Sequence, residues 1–205
     1  MVERFRKIIS RYVPENATGY CVKCWKEDPF SFKVTRQRKS KLGDYRFNRE
    51  TGNHEITVNG NLNPYVFLIT FLHEVAHLKH YIKYKNNGTP HGYLWKNIFQ
   101  DLMRPVLTDT IFPRAVLNHL ENHMKNPKAS SQSDPVLSRS LRQYDLQKHV
   151  PDVYLEDLSD GDSFIFKGRA FTKIRRRRTR SLCRDDSTGR KYLFSEMTKI
   201  ERSEK

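Results

Sequence analysis

The sequence predicts an α+β protein: a small antiparallel sheet packed with helices, one of them bearing the pattern HExxH, then a small C-terminal β unit. Three observations predict this. Short alternating apolar–polar runs, separated by turn residues, lie between Phe30 and Asn59. A long apolar, helix-forming run follows Pro64 and contains His73-Glu74-Val75-Ala76-His77. After a polar stretch with two prolines, short alternating runs return from about Val150.

The 205 residues can hold one ordinary core, or one core and a small appendage. Hydrophobic residues make up 37% and charged residues 30%, which suits a globular chain in water. No apolar run approaches the length of a membrane span. The N-terminal MVERFRKIISRYV is charged throughout and lacks a signal-peptide pattern, so the expected location is cytoplasmic, with an association with DNA considered below. Three cysteines exclude a disulfide framework. The net charge of +15 is clustered, and clustered basic charge points to a polyanionic partner such as DNA.

Taken in order, Val2, Phe5, Ile8, Ile9 and Tyr12 recur at helical spacing, and Pro14 stops the pattern. Cys21-Val22-Lys23-Cys24 is a lone CxxC. A structural zinc site takes four ligands and there is no second pair, so two ordinary reduced cysteines near a turn are expected. Phe32-Lys33-Val34-Thr35, Tyr45-Arg46-Phe47 and Glu55-Ile56-Thr57-Val58 alternate as strands, with Gly43 and Thr51-Gly52-Asn53 at turns. Lys33, Arg36, Arg38, Lys39 and Lys41 give that sheet a basic edge.

Asn63-Pro64 starts the motif helix, since proline is tolerated in a first turn. Val66, Phe67, Ile69, Leu72, Val75 and Ala76 make it apolar on more than one face, which predicts burial. It is expected to run to about Lys85 and to end at Asn86-Asn87-Gly88. Trp95, Ile98, Phe99, Leu102 and Met103 predict the next helix, and Val116 to Met124 another. Residues 127–149 look like a linker. Beyond it, strands are expected around Gly168 and Asp185 to Gly189, with Arg175, Arg176, Arg177, Arg178 and Arg180 between them. The expected domains are therefore 1–126, a linker 127–149, and a basic β unit 150–205.

The chemistry lies in His73-Glu74-Val75-Ala76-His77. Residues four apart share a helical face, so His73 and His77 can offer two imidazoles to one metal ion. Glu74 falls beside that metal, where a carboxylate can take a proton from water. Such polar groups on a buried helix are costly unless paired, and a metal pairs them. His91, Asp101 and His80 compete for the third ligand position. A straight helix carries His80 about 10 Å along the axis from His73, which is a poor position. His91 follows a glycine-containing turn that lets the chain double back, and is favoured. His119 and His123 are expected to be surface or helix-packing residues.

The run HEVAHLKHYIKYKNNGTPHGYLWKNIF resembles the SprT-like family, which includes the Spartan-type zinc metalloproteases acting on DNA–protein crosslinks. It shows HExxH followed by His91-Gly92-Tyr93-Leu94-Trp95, and the resemblance reaches over residues 1–125. The segment Arg38 to Arg46 and Glu55-Ile56-Thr57-Val58-Asn59 also look like that family's sheet. The resemblance implies a zincin helix, one Zn2+ on His73, His77 and His91, and Glu74 as the catalytic residue. It further implies a protein substrate that is associated with or crosslinked to DNA, hydrolysed by Glu-assisted attack of a zinc-bound water. Where relatives carry a cysteine-rich ribbon, this chain has Cys183 alone in a basic β unit. Arg175–Arg180, with Phe171 and Tyr192 nearby, are the candidate DNA contacts. The alternative function is a non-enzymatic nucleic-acid or transcription-associated factor with a structural zinc, which would give Glu74 no role.

Overall fold

A computed structural model describes residues 1–38, 40–85, 87–128, 134–145 and 153–202. Lys39 of the expected basic edge, Asn86 of the expected helix stop, linker residues 129–133 and 146–149, and Val150 lie outside the described residues. The chain divides into two compact units, Met1–Leu146 and Gln147–Lys205. Among the described residues the fold is mixed α and β, with six α-helices and two sheets. None of those helices is long and apolar enough to cross a membrane.

In the first unit, α1 (Val2–Ile9) buries Phe5 and Ile9. Helix α2 (Thr18–Glu27) holds Cys21 and Cys24, where a turn was expected. Residues three apart share a helical face, so both free cysteines sit in the core with Val22 and Trp25. Burial pushes the Cys21 thiol well up and the Cys24 thiol to about 11. Both stay protonated at neutral pH, a poor form for binding metal.

Strands β1 (Ser31–Thr35), β2 (Gly43–Phe47) and β3 (His54–Asn59) form a sheet in the order β1-β3-β2. The expectation of an antiparallel sheet is corrected. Strand β2 is antiparallel to β3, but β1 is parallel to it, from Ser31 beside Glu55 to Thr35 beside Asn59. The reason is that β3 is the central strand, with Ile56, Thr57, Val58 and Asn59 all buried. Residues 36–38 and 40–42 then lie past the end of β3, from its one side to its other. Two bonds pin this crossing: Asn59 N–H donates to Leu42 O at 2.8 Å, and Gly60 N–H donates to Thr35 O at 2.9 Å.

Helix α3 (Pro64–Tyr84) carries the HExxH residues. Asn63 caps it by accepting from the N–H groups of Tyr65 and Val66, with Pro64 in the first turn. Helices α4 (Tyr93–Met103) and α5 (Arg114–Met124) follow. A further helix, α6 (Pro135–Arg142), lies inside the expected linker. It is no linker there, because Leu137 and Leu141 are buried in the same core as α3. The Asn63 amide fastens the two helices by donating to Leu141 O at 2.9 Å and to Asp145 Oδ1 at 2.7 Å.

The second unit contains β4 (Val153–Tyr154), β5 (Ser163–Phe166), β6 (Arg169–Arg177), β7 (Arg180–Asp185), β8 (Lys191–Ser195) and β9 (Lys199–Arg202). They form an antiparallel sheet in the order β4-β9-β5-β6-β7-β8. Leu155, Leu158, Phe164, Phe171, Cys183 and Ile200 make its core. Lys173 is buried with them, donates to the carbonyls of Leu155 and Leu158, and lies 3.8 Å from the buried Glu196 carboxylate, so its charge is met by dipoles and a counter-charge. The arginine run occupies the exposed tip of the β6–β7 hairpin.

Candidate metal centre

Helix α3 places His73 and His77 on one face, one turn apart. The chain turns after α3 and returns through His91, just before α4. His91 has φ of 59°, the left-handed region that costs energy for most residues and recurs at functional sites. The outcome is a triangle of imidazole Nε2 atoms: His73 to His77 3.1 Å, His77 to His91 3.0 Å, and His91 to His73 3.2 Å. One proton cannot bridge three such edges, so lone pairs are left facing one another. Metal–nitrogen bonds of about 2.0–2.1 Å in a tetrahedron set ligand nitrogens about 3.3 Å apart, so this donor set fits a zinc-sized cation.

Electrostatics favour the same state. Burial and the neighbouring imidazoles push His73 down to about 2 and His77 to about 4, and burial lowers His91. All three are neutral at pH 7, the form that lends a lone pair to a metal. Trp95 lies against all three rings, with centroids at 4.6, 5.2 and 4.7 Å from His73, His77 and His91. At 1% exposure it walls off one side of the triangle. Among the described residues, no other group of His, Cys, Asp or Glu converges in this way.

The two competitors for the third position stand apart from the triangle. Asp101 is exposed and pairs with Arg104 at 3.0 Å. The ring of His80 lies beside Tyr84, with centroids 5.3 Å apart.

The histidines open into a cleft of about 480 Å³, whose lining includes Glu74, Arg38, Lys41, Gly43, Tyr45, Phe99 and His123. Burial pushes Glu74 up to about 8 and Asp44 adds to the rise, while Arg38, Lys41 and the Tyr45 N–H work against it. A divalent cation on the histidines would act with Arg38 and Lys41 to favour the carboxylate.

Sequence reasoning missed three contributors to this cleft. Gly43, expected only as a turn, starts β2 directly against α3. A Cβ there would meet Glu74 Oε1 at 2.5 Å and Thr70 Cγ2 at 2.8 Å. Gly43→Ala is therefore expected to displace Glu74 or β2, lowering stability by about 1–3 kcal/mol as overpacking does. Thermal melting of the variant checks this, and an unchanged melt would rule out so close an approach. His123, expected at the surface or in helix packing, is buried and lines the cleft, with Nδ1 3.2 Å from Asp134 Oδ2. Asp134-Pro135 was a legible helix start, but the pairing of Asp134 with His123 depends on how that helix packs. Arg38, expected only as part of a basic edge, is the third.

In the second unit, Arg175, Arg176, Arg177, Arg178 and Arg180 are all exposed. Arg176 is partly committed, since its Nε lies 3.2 Å from Glu196 Oε2. Phe171 is a core residue at 3% exposure and cannot stack on a base, whereas Tyr192 is 38% exposed with Arg169 over its ring.

No family model, no curated protein and no solved structure matches this chain.

Proposed function

We propose that the unit Met1–Leu146 is a zinc-dependent peptidase of SprT-like type, acting on proteins bound or crosslinked to DNA. One observation carries the reading: three neutral imidazole nitrogens converge within 3.2 Å, in one cleft with a buried glutamate next in sequence to the first of them. A structural metal would need no such carboxylate beside it.

His73, His77 and His91 would hold the ion. When bound, zinc supplies Lewis acidity toward a water and a peptide carbonyl. Glu74 accepts the proton of the attacking water and returns it to the leaving amine, so its carboxylate ends each turnover unchanged. Gly43 permits β2 to lie against Glu74. Strand β2 is a sheet edge lining the cleft, so an extended substrate could pair with it in strand fashion. Incubation of the zinc-loaded protein with a DNA-bound protein, with and without DNA and chelator, tests the reading. Cleavage that chelation abolishes is expected, and cleavage indifferent to chelation would refute it.

The DNA contact rests on the arginine hairpin and the net charge of +15. Among the described residues, no carboxylate lies within ion-pairing distance of Arg175, Arg177, Arg178 or Arg180. Replacing these four by alanine is expected to weaken DNA binding at low salt. It should also flatten the slope of log affinity against log salt by about one unit per arginine removed. Fluorescence anisotropy over a salt series measures both, and an unchanged slope removes the hairpin from the interface.

A further inference from the structure

The strand register of the second unit sorts its basic residues between two faces. Successive residues of a strand point to opposite faces. On β7, Ser181, Cys183 and Asp185 are buried, so Arg180, Leu182 and Arg184 point to the solvent side. Cross-strand partners share a face, which adds Arg175 and Arg177 of β6 and Lys191, Leu193 and Ser195 of β8. Strict alternation from the buried Phe171 and Lys173 would turn Arg175 and Arg177 inward. The pairing instead passes from Lys173 to Arg175 with a shift of register, a bulge that re-aims both arginines outward. Arg176 sits opposite the buried Ser181 and reaches Glu196, so it does not belong to this face.

Arg175, Arg177, Arg180, Arg184 and Lys191 therefore share the solvent face of three adjacent strands. Asp185 is the one acidic residue on those strands, and it is buried on the opposite face. Among the described residues, Arg184 alone of the five has a carboxylate within ion-pairing distance. Its Nε lies 3.8 Å from Asp186 Oδ1, which also accepts from the Thr172 hydroxyl at 2.7 Å. Two of the cross-strand pairs are like-charged, Arg177 with Arg180 and Arg184 with Lys191. Like charges directly opposite each other destabilise a sheet, and a bound polyanion offsets that cost. Between the two pairs lie Leu182 and Leu193, themselves directly opposite, with Leu193 49% exposed. Arg180 and Arg184 are four positions apart on β7, which sets the charged pairs about 13 Å from each other at about 3.3 Å per residue.

We propose that this face is the nucleic-acid interface of the second unit and that it takes a single strand, with phosphates on the two cationic pairs and on Arg175, and bases against Leu182 and Leu193. This rests on the DNA contact proposed above and narrows it to one surface and one kind of strand. Two features favour a single strand. A duplex hides its base faces by stacking and offers an apolar side chain only the groove edges. The major groove admits a two-stranded ribbon, whereas this face is three strands wide up to the hairpin turn, where Arg180 still pairs with Ser195. Unstacked bases meet no such barrier and can lie on an apolar patch flanked by cations.

The test uses the full chain and fluorescence anisotropy over a salt series, with oligothymidylate and a duplex of the same length as probes, and thermal melting of each variant. Wild type should bind the single strand more tightly than the duplex at physiological salt. The double substitution Arg184→Gln and Lys191→Gln removes the pair farther from the hairpin turn. It is expected to flatten the single-strand slope of log affinity against log salt by about 1.4, since each phosphate neutralised on a single strand contributes about 0.7. It should melt no lower than wild type, because a like-charged pair is relieved. Leu193→Asn should weaken single-strand binding by about threefold or more with the slope kept, as loss of an apolar contact does. Lys167→Gln, in the turn between β5 and β6 and off this face, should leave the slope unchanged. An unchanged slope for the double variant overturns the face while leaving the hairpin contact intact, and an equal flattening by Lys167→Gln overturns it as an effect of bulk charge. Tighter binding of the duplex, or a Leu193→Asn variant that binds the single strand like wild type, overturns the single-strand assignment. A wild type that binds neither probe overturns both this interface and the DNA contact above.

Discussion

Glu74→Gln is expected to lower peptide hydrolysis by about 10²–10⁴-fold, the range that a positioned general base contributes, with zinc content and melting temperature retained. The substitution is nearly isosteric, which matters at this position. Glu74 is 6% exposed and packs where β2 approaches through Gly43, so a larger or smaller side chain would perturb the wall itself. Glutamine fills the same volume but cannot take a proton from water. It also removes a carboxylate that burial disfavours, so the folded state gains rather than loses from the change. Activity and stability should therefore separate. A structural zinc site would show the opposite, with no consequence for any activity the protein has.

His91→Ala is the second large effect. Removing one of the three proposed ligands is expected to weaken zinc binding by more than about a hundred-fold, since loss of outer partners of a ligand alone costs about 10–100-fold. A hundred-fold loss of affinity removes about 2.7 kcal/mol of zinc-linked stabilisation at a fixed excess of metal. The melting temperature with zinc should fall toward that of the chelated wild type. His91→Asn is the useful companion, because asparagine tolerates the left-handed backbone that His91 adopts at φ 59°. If its metal-free melt matches wild type while its zinc affinity is lost, the imidazole and not the backbone is responsible. His80→Ala and Asp101→Ala should keep stoichiometric zinc. Isothermal titration with zinc decides among them, and retention of tight binding by His91→Ala would move the third ligand elsewhere.

What could be seen in the sequence follows from the range of the interactions. Helix α3 was legible because its signals are local: Asn63-Pro64 at the start, a dense apolar run, and two histidines at helical spacing. The place of His91 was legible because a turn had to fall between α3 and α4. Helix α2 was missed because Gly19, the β-branched Thr18 and Val22, and two cysteines are weak helix formers, and its stability comes from packing against α1 and the core. The parallel pairing of β1 with β3 was missed because alternation tells which face of a strand is buried and not which strand lies beside it. Helix α6 was hidden by the serine-rich stretch before it, although Asp134-Pro135 marked its start. Arg38 and Asn59 are 21 positions apart, and their bond exists only once β1 and β3 lie side by side. For α2, for the β1–β3 pairing and for Arg38 a partner distant in sequence decides the structure, and no local pattern carries that information.

The most direct measurement of the central claim is product analysis by mass spectrometry after incubation in heavy-oxygen water. Zinc-loaded wild type and zinc-loaded Glu74→Gln are each mixed with a DNA-bound basic protein, with and without chelator. New peptide C-termini carrying one heavy oxygen are expected from wild type, and almost none from Glu74→Gln or after chelation. Products formed by Glu74→Gln at the wild-type rate, or none from zinc-loaded wild type, would contradict it.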